Sequence, residues 1–229
     1  MAFAYSIIPV QLKVAEQRAQ YRLPRASLRL RLNRQLWQAC KSGDITRVEQ
    51  LLTQGANLQR LQGRALGLYN PEQDTLLHIV AEGDNLAMLR VLLQHGAPVR
   101  ALNRRRQSAL HWAAAEASLA LVDCLLSHGA DFNQQDGEGA SPLMWAAASD
   151  KLDSVQTLVR SGAELDLRDH DGNTVLHWAA VYGRRAVVDY LLECGLSLLS
   201  ENKMGDTPVS LALINGHKRL LRYLIKLVE

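Results

Sequence analysis

Residues 169–195 read DHDGNTVLHWAAVYGRRAVVDYLLECG, and the seven at their heart, TVLHWAA at 174–180, return along the chain. TLLHIVA begins at Thr75, SALHWAA at Ser108, SPLMWAA at Ser141 and TPVSLAL at Thr207, so the blocks start at 33-residue intervals. A second series, Gly96, Gly129, Gly162 and Gly195, follows the first four starts by 21 residues. Two signals locked to one period imply a repeat architecture, whose core is the stack of interfaces between neighbouring units.

The unit at 169–201 has a readable physical plan. Asp169 to Gly172 forms a turn, with Gly172 free to take positive φ. Thr174 stands where a helix begins, so its hydroxyl can cap open N–H groups. Proline at the next position, as in Pro142 and Pro208, suits a first helical turn. Leu176, Ala179 and Ala180 follow at helical spacing, and the small alanines allow close approach of a neighbouring helix. Gly183 ends this helix. Val187, Val188, Leu191 and Leu192 then give a second helix a one-sided apolar stripe, which Gly195 stops. Neither helix buries its stripe alone, so the units must stack.

These residues resemble the ankyrin repeat, whose pattern runs D-x-x-G-x-T-P-L-H-x-A-A-x-x-G-H, then an apolar helix, then L-L-x-x-G-A-D-V-N. Asn70, Asn103, Asp136, Asp169 and Asn202 open the complete units, and Gly-Ala recurs at 55–56, 96–97, 129–130 and 162–163. The resemblance implies an all-α ankyrin-repeat solenoid, built of helix-turn-helix units joined by β-turn fingers, over residues 34–229. Six units are expected, near 34–66, 70–102, 103–135, 136–168, 169–201 and 202–229, the first and last being atypical caps.

Departures from the pattern mark individual features. Gln73 and Arg106 replace the turn glycine kept at Gly139, Gly172 and Gly205, a substitution that costs roughly 1–2 kcal/mol if positive φ is retained. Met144 and Ser210 replace the pattern histidine. The gap from Gly55 to Thr75 is 20 residues against 12 for every later equivalent, which places eight extra residues within LQRLQGRALGLY at 58–69. Loops of individual length are where function concentrates. Residues 1–33 lie outside the pattern as a basic, helical N-terminal extension. There Ser27 is expected to cap a helix that carries Leu28, Leu32, Leu36 and Ala39 on one face.

The 229 residues are 48% hydrophobic and 21% charged, the balance of a soluble folded protein. Net charge is only +3, but residues 1–34 carry +6 and the remainder −3. A basic head on a mildly acidic body suggests either a helical cap with solvated arginines or a tether for nucleic acid or acidic membrane through residues 13–34. Cys40, Cys124 and Cys194 form no CxxC, so they read as buried small apolar residues, and no disulfide framework is expected. No run of 18 apolar residues predicts a membrane span. Residues 2–10 lack the basic flank of a secretory signal, whereas the Arg-rich, acid-poor start resembles a mitochondrial presequence. A cytoplasmic location is expected, with nuclear, mitochondrial or host-cytosol placement as alternatives.

His78, His111 and His177 share one repeat phase. Stacked helices lie roughly 8–10 Å apart and zinc needs ligands at roughly 2 Å, so one ion cannot bridge adjacent units. The resemblance instead implies that each histidine hydrogen-bonds the neighbouring turn. Trp112, Trp145 and Trp178 also share a phase. A tryptophan ladder can stack bases or a peptide, but the resemblance implies a partly buried framework position. His95 and His128 precede helix-ending glycines, where an imidazole favours the negative helix end. No GxSxG, HExxH, P-loop or GxGxxG occurs, so no enzyme, metal or cofactor is expected.

The expected function is a non-catalytic protein–protein interaction module or scaffold, a monomer that holds a protein partner in a preformed concave groove. A regulatory or inhibitory subunit, or a bacterial effector, would use the same surface. By resemblance, specificity lies at the finger tips and the outer residues of the first helices: Arg104, Arg105, Gln107, Glu116, Glu138, Ser149, His170, Asp171, Asn173, Tyr182, Lys203 and Met204. Tyr182 is the natural anchor, being large, amphipathic and off the apolar stripe. The run Arg104–Arg106 could bind an acidic segment or a phosphate, or simply be a solvated tip. Asn133, in LLSHGADFN, resembles the acceptor site of an asparaginyl hydroxylase that modifies ankyrin domains.

Overall fold

A serine or threonine precedes each helix that starts a complete unit, and its backbone is extended there. In the computed structural model, which describes residues 25–58 and 72–228, twelve helices fall into six consecutive pairs. They are α1 Arg25–Ser42 with α2 Ile45–Thr53, α3 Leu76–Glu82 with α4 Leu86–Gln94, and α5 Ala109–Glu116 with α6 Leu119–Ser127. Next come α7 Pro142–Ala148 with α8 Leu152–Arg160, α9 Val175–Val181 with α10 Arg185–Glu193, and α11 Pro208–Ile214 with α12 Lys218–Val228. The only β pairing among the described residues is an isolated bridge between Leu102 and Ser108. The eight-residue insertion lies outside the described residues apart from Leu58, as do Asn70 and residues 1–24.

The first helix of each unit is short because both ends are fixed locally. Thr75, Ser108, Ser141, Thr174 and Thr207 hold ψ between 163° and 173° and cap the next turn. The pattern histidine closes the cap. Nδ1 of His78 accepts from the Thr75 amide at 3.1 Å, that of His111 from Ser108 at 3.1 Å, and that of His177 from Thr174 at 3.1 Å. A backbone amide can only donate, so Nδ1 is unprotonated and Nε2 carries the hydrogen. Nε2–H then donates into the following unit, to the carbonyls of Gln107 (2.8 Å), Ala140 (3.1 Å) and Asp206 (3.2 Å). Burial is the main cause that lowers all three histidines, and it takes His111 down to about 4. Each ring therefore joins two units as a neutral group.

Stacking runs first helix on first helix and second on second, the former in closer contact. Alanine makes this possible: Ala81, Ala114, Ala147 and Ala180 share one phase, and all are 0% exposed. Leu89, Leu92, Leu121, Leu125, Val155, Leu158, Val187 and Leu191 fill the space between the two rows. Cys40 and Cys124 are buried and Cys194 half-buried, all as free thiols, and burial pushes Cys40 up to about 12. A thiol so placed is inert as a nucleophile.

Ser27 lies inside α1 rather than ahead of it, which corrects the expected cap; Arg25 and Ala26, both good helix formers, are already helical. Leu32, Leu36 and Ala39 are buried on the expected face. The side chain of Asn33 accepts from the Asn57 amide at 2.9 Å and ties α1 to the turn beyond α2.

Candidate binding groove

The finger turns are built by their own first residue. In Asn103, Asp136, Asp169 and Asn202 the side-chain oxygen Oδ1 accepts from the amides two and four residues on, at 2.8–3.0 Å. The left-handed turn position is occupied by Gly139, Gly172 and Gly205 (φ 81° to 82°), and by Gln73 (57°) and Arg106 (60°) where glycine is missing. Adjacent fingers are then joined main chain to main chain. The Arg104 amide donates to the Glu72 carbonyl (2.7 Å), Gly137 to Arg105 (2.7 Å), His170 to Glu138 (2.9 Å) and Lys203 to Asp171 (2.9 Å).

The tryptophans stand where fingers meet first helices. Trp145 Nε1–H donates to Asp136 (3.1 Å), Trp178 to Asp169 (2.8 Å) and Trp112 to Gln107 (3.2 Å), so each indole is pinned to its own finger. The rings are half-buried and pack against the core. Trp112 and Trp145 meet His78 and His111 edge to face, with centroids 6.1 and 5.7 Å apart. Trp178 lies 6.1 Å from Tyr182, which is 46% exposed.

Trp145, Trp178 and Tyr182 form the aromatic wall of a hollow of about 670 Å³, which Ser149, Arg105, Glu138 and Arg184 also line. A second hollow of about 520 Å³ adjoins it, lined by Trp112, Trp145, Glu72, Glu82, Glu116 and Arg105. The two share Arg105, Gln107 and Trp145, so they form one trough. Its charge is graded. In the second hollow Glu72 is matched by Arg105, with Arg105 Nε–H and Nη2–H donating at 2.9 and 3.1 Å, which leaves Glu82 and Glu116 without an ion pair among the described residues. In the first, Arg105 and Arg184 face Asp136 and Glu138.

Of the residues expected to contact a partner, Arg105, Gln107, Glu116, Glu138, Ser149 and Tyr182 line the trough. Gln107 does so as a buried floor, with its oxygen accepting from Asn103 Nδ2 and Trp112 Nε1. Arg104, His170, Asp171, Lys203 and Met204 are exposed at finger tips outside both hollows. Lys203 Nζ donates to the His170 carbonyl at 2.6 Å, and Asn173 joins Asp169 and Asn202 within the finger row. Asn133 lies elsewhere: its side chain accepts from the Glu164 amide and donates to the Glu164 carboxylate, both at 2.9 Å.

Glu72, Glu82 and Arg184 were not singled out from sequence. Arg184 belongs to a series that only the stacked geometry reveals. Lys151 Nζ donates to the Glu116 carbonyl (3.3 Å), Arg184 Nε–H to Ala148 (2.7 Å) and His217 Nε2–H to Val181 (2.7 Å), each binding the C-terminal end of the preceding unit's first helix. A donor there satisfies open carbonyls and opposes the helix dipole. The signal was the shared phase of residues 151, 184 and 217. His95 and His128 do the same within their own helices, each Nδ1–H donating to the carbonyl four residues back at 2.9 and 2.8 Å.

A family model described as ankyrin repeats, in three copies, matches residues 36–136, 119–202 and 143–229. No curated protein matches the chain.

Proposed function

The chain belongs to the ankyrin-repeat family, whose repeats are generally protein–protein interaction modules, and from that premise we propose that it is a non-catalytic binding module whose partner lies in the aromatic trough. The observation that carries this reading is the wall of Trp145, Trp178 and Tyr182 along a hollow of about 670 Å³. Aromatic side chains in a partly dry concavity supply large contact area with little conformational freedom to lose. The wall is also rigid. Each indole is held by a finger carboxylate and each finger by its neighbours, so little ordering is needed on binding.

Tyr182 is the residue to remove, because its side chain is exposed and its one fold-supporting hydrogen bond, amide to the Trp178 carbonyl, is kept by alanine. Peptides selected from a displayed random library against the full chain would be measured against Tyr182→Ala by titration calorimetry. Loss of an anchor of this kind is expected to weaken binding by roughly 10- to 30-fold, about 2 kcal/mol, with thermal unfolding unchanged. Selected peptides that bind Tyr182→Ala and Glu138→Lys as tightly as the parent chain would place the partner elsewhere.

A further inference from the structure

The last helix breaks the charge balance of the outer row. α2 has Arg47 with Glu49, α8 has Asp153 with Arg160, α10 sets Arg185 against Asp189 and Glu193, and α4 and α6 carry a single charge each, Arg90 and Asp123, whereas α12 carries Lys218, Arg219, Arg222 and Lys226 and no acid. Leu220 and Leu224 are buried and fix its orientation, so Arg219, Arg222 and Lys226 stand outward at spacings of three and four. Arg185 joins them from α10, its guanidinium 4.0 Å over the Tyr223 ring and its Nε 3.6 Å from Asp189. These four cations, Tyr223 and Ile225 line a concavity of about 590 Å³, and the carboxylate beside it, Asp189, is engaged with Arg185 and the Tyr223 hydroxyl. Among the described residues no ion pair engages Arg219, Arg222 or Lys226.

Helix stability does not account for this arrangement. Cations three and four apart on a helix repel. Lys218 and Arg219 also occupy the first turn, where the helix dipole is positive and disfavours them; only Lys226, in the last turn, gains from it. An anion held between these side chains would relieve both strains. We infer that the concavity binds a phosphate-bearing anion, either an acidic lipid headgroup or a small multiply phosphorylated solute. Guanidinium forks take phosphate oxygens two at a time. From Arg219 to Lys226 the helix rises about 10 Å, the span of one compact headgroup rather than a track along a polymer. Ile225, 41% exposed among the cations, adds an apolar contact suited to a lipid surface.

The test uses the full chain carrying Arg18→Gln and Arg22→Gln, which removes charge from the basic head. It is titrated with inorganic pyrophosphate and, separately, sedimented with phosphatidylcholine vesicles with and without phosphatidylserine. Binding to at least one probe is expected. It should weaken about tenfold or more in Arg219→Glu/Arg222→Glu and survive in part in Arg219→Lys/Arg222→Lys, both variants keeping the parent's circular dichroism. Vesicle binding that pyrophosphate does not displace identifies a headgroup; pyrophosphate binding without vesicle binding identifies a solute. The inference is overturned if neither probe binds at low salt or if the glutamate variant binds as the parent does.

Discussion

Arg106 holds φ at 60° in a turn where its counterparts at 139, 172 and 205 are glycine. A left-handed L-residue costs roughly 1–2 kcal/mol, and glycine returns part of that gain through its freer unfolded chain. Arg106→Gly is therefore expected to stabilise by about 0.5–1 kcal/mol, read as a higher urea midpoint at constant m-value. The histidines make a second prediction. The folded chain holds His111 neutral down to about pH 4, against an ordinary value of 6.5. As pH falls below 6.5 the unfolded chain takes up a proton that the folded chain refuses, so stability is full above this range and is lost on the way down to about 4. The shift corresponds to about 3 kcal/mol, and His78 and His177 act in the same direction. Urea midpoints should fall between pH 7 and pH 4.5, and less steeply in His111→Gln. The hydrogen-bonding role of these histidines was legible in the sequence through resemblance; their tautomer was not, because it is set by the N-cap amide that donates to Nδ1 within the folded turn.

At the scale of helices, one phase controls how closely units stack. Ala81, Ala114, Ala147 and Ala180 lie fully buried, whereas Leu213, 33 residues after Ala180, is 62% exposed. Ala147→Leu forces three extra heavy atoms between α7 and the first helices packed on it and should destabilise by about 1–3 kcal/mol, measured by thermal or urea unfolding. The same change at Ala186, exposed on α10, should be nearly neutral. The helices themselves were legible because caps, glycines and apolar stripes all pointed one way. The carbonyl bonds of Lys151, Arg184 and His217 were not, since each spans 35 or 36 residues and needs the stack to be assembled first. The start of α1 was misplaced for a simpler reason: serine is a common cap, yet it also sits inside helices that better helix formers have already begun.

Across the whole molecule the trough is polarised. Glu82 and Glu116 flank Trp112 at one end, while Ser149, Trp178 and Tyr182 occupy the other. A segment that lies along it should place a lysine or arginine over Trp112 and an apolar side chain against Tyr182, combining cation–π and carboxylate contacts at one end with area burial at the other. Glu82→Lys/Glu116→Lys is expected to weaken basic peptides by about tenfold or more and to leave apolar ones little changed, as measured by fluorescence titration. The trough residues were only half legible in the sequence. Their phase was visible, and Glu72 and Arg105 stand one 33-residue period apart, but that the two side chains close on each other is set by the stacked finger geometry.

One bond between each pair of neighbouring fingers is made by main-chain atoms alone, donated at residues 104, 137, 170 and 203. Those four bonds use no side-chain atom. Arginine, glycine, histidine and lysine already fill the donor position in turn, and the join is nearly the same length each time. Tip identity and this main-chain join are thus separable at residues 104, 170 and 203, so recognition can drift, or be redesigned, there while the join is kept. Proline is barred from all four sites, because it has no hydrogen to donate, and at Gly137 any Cβ would meet the Arg105 carbonyl oxygen at 2.9 Å.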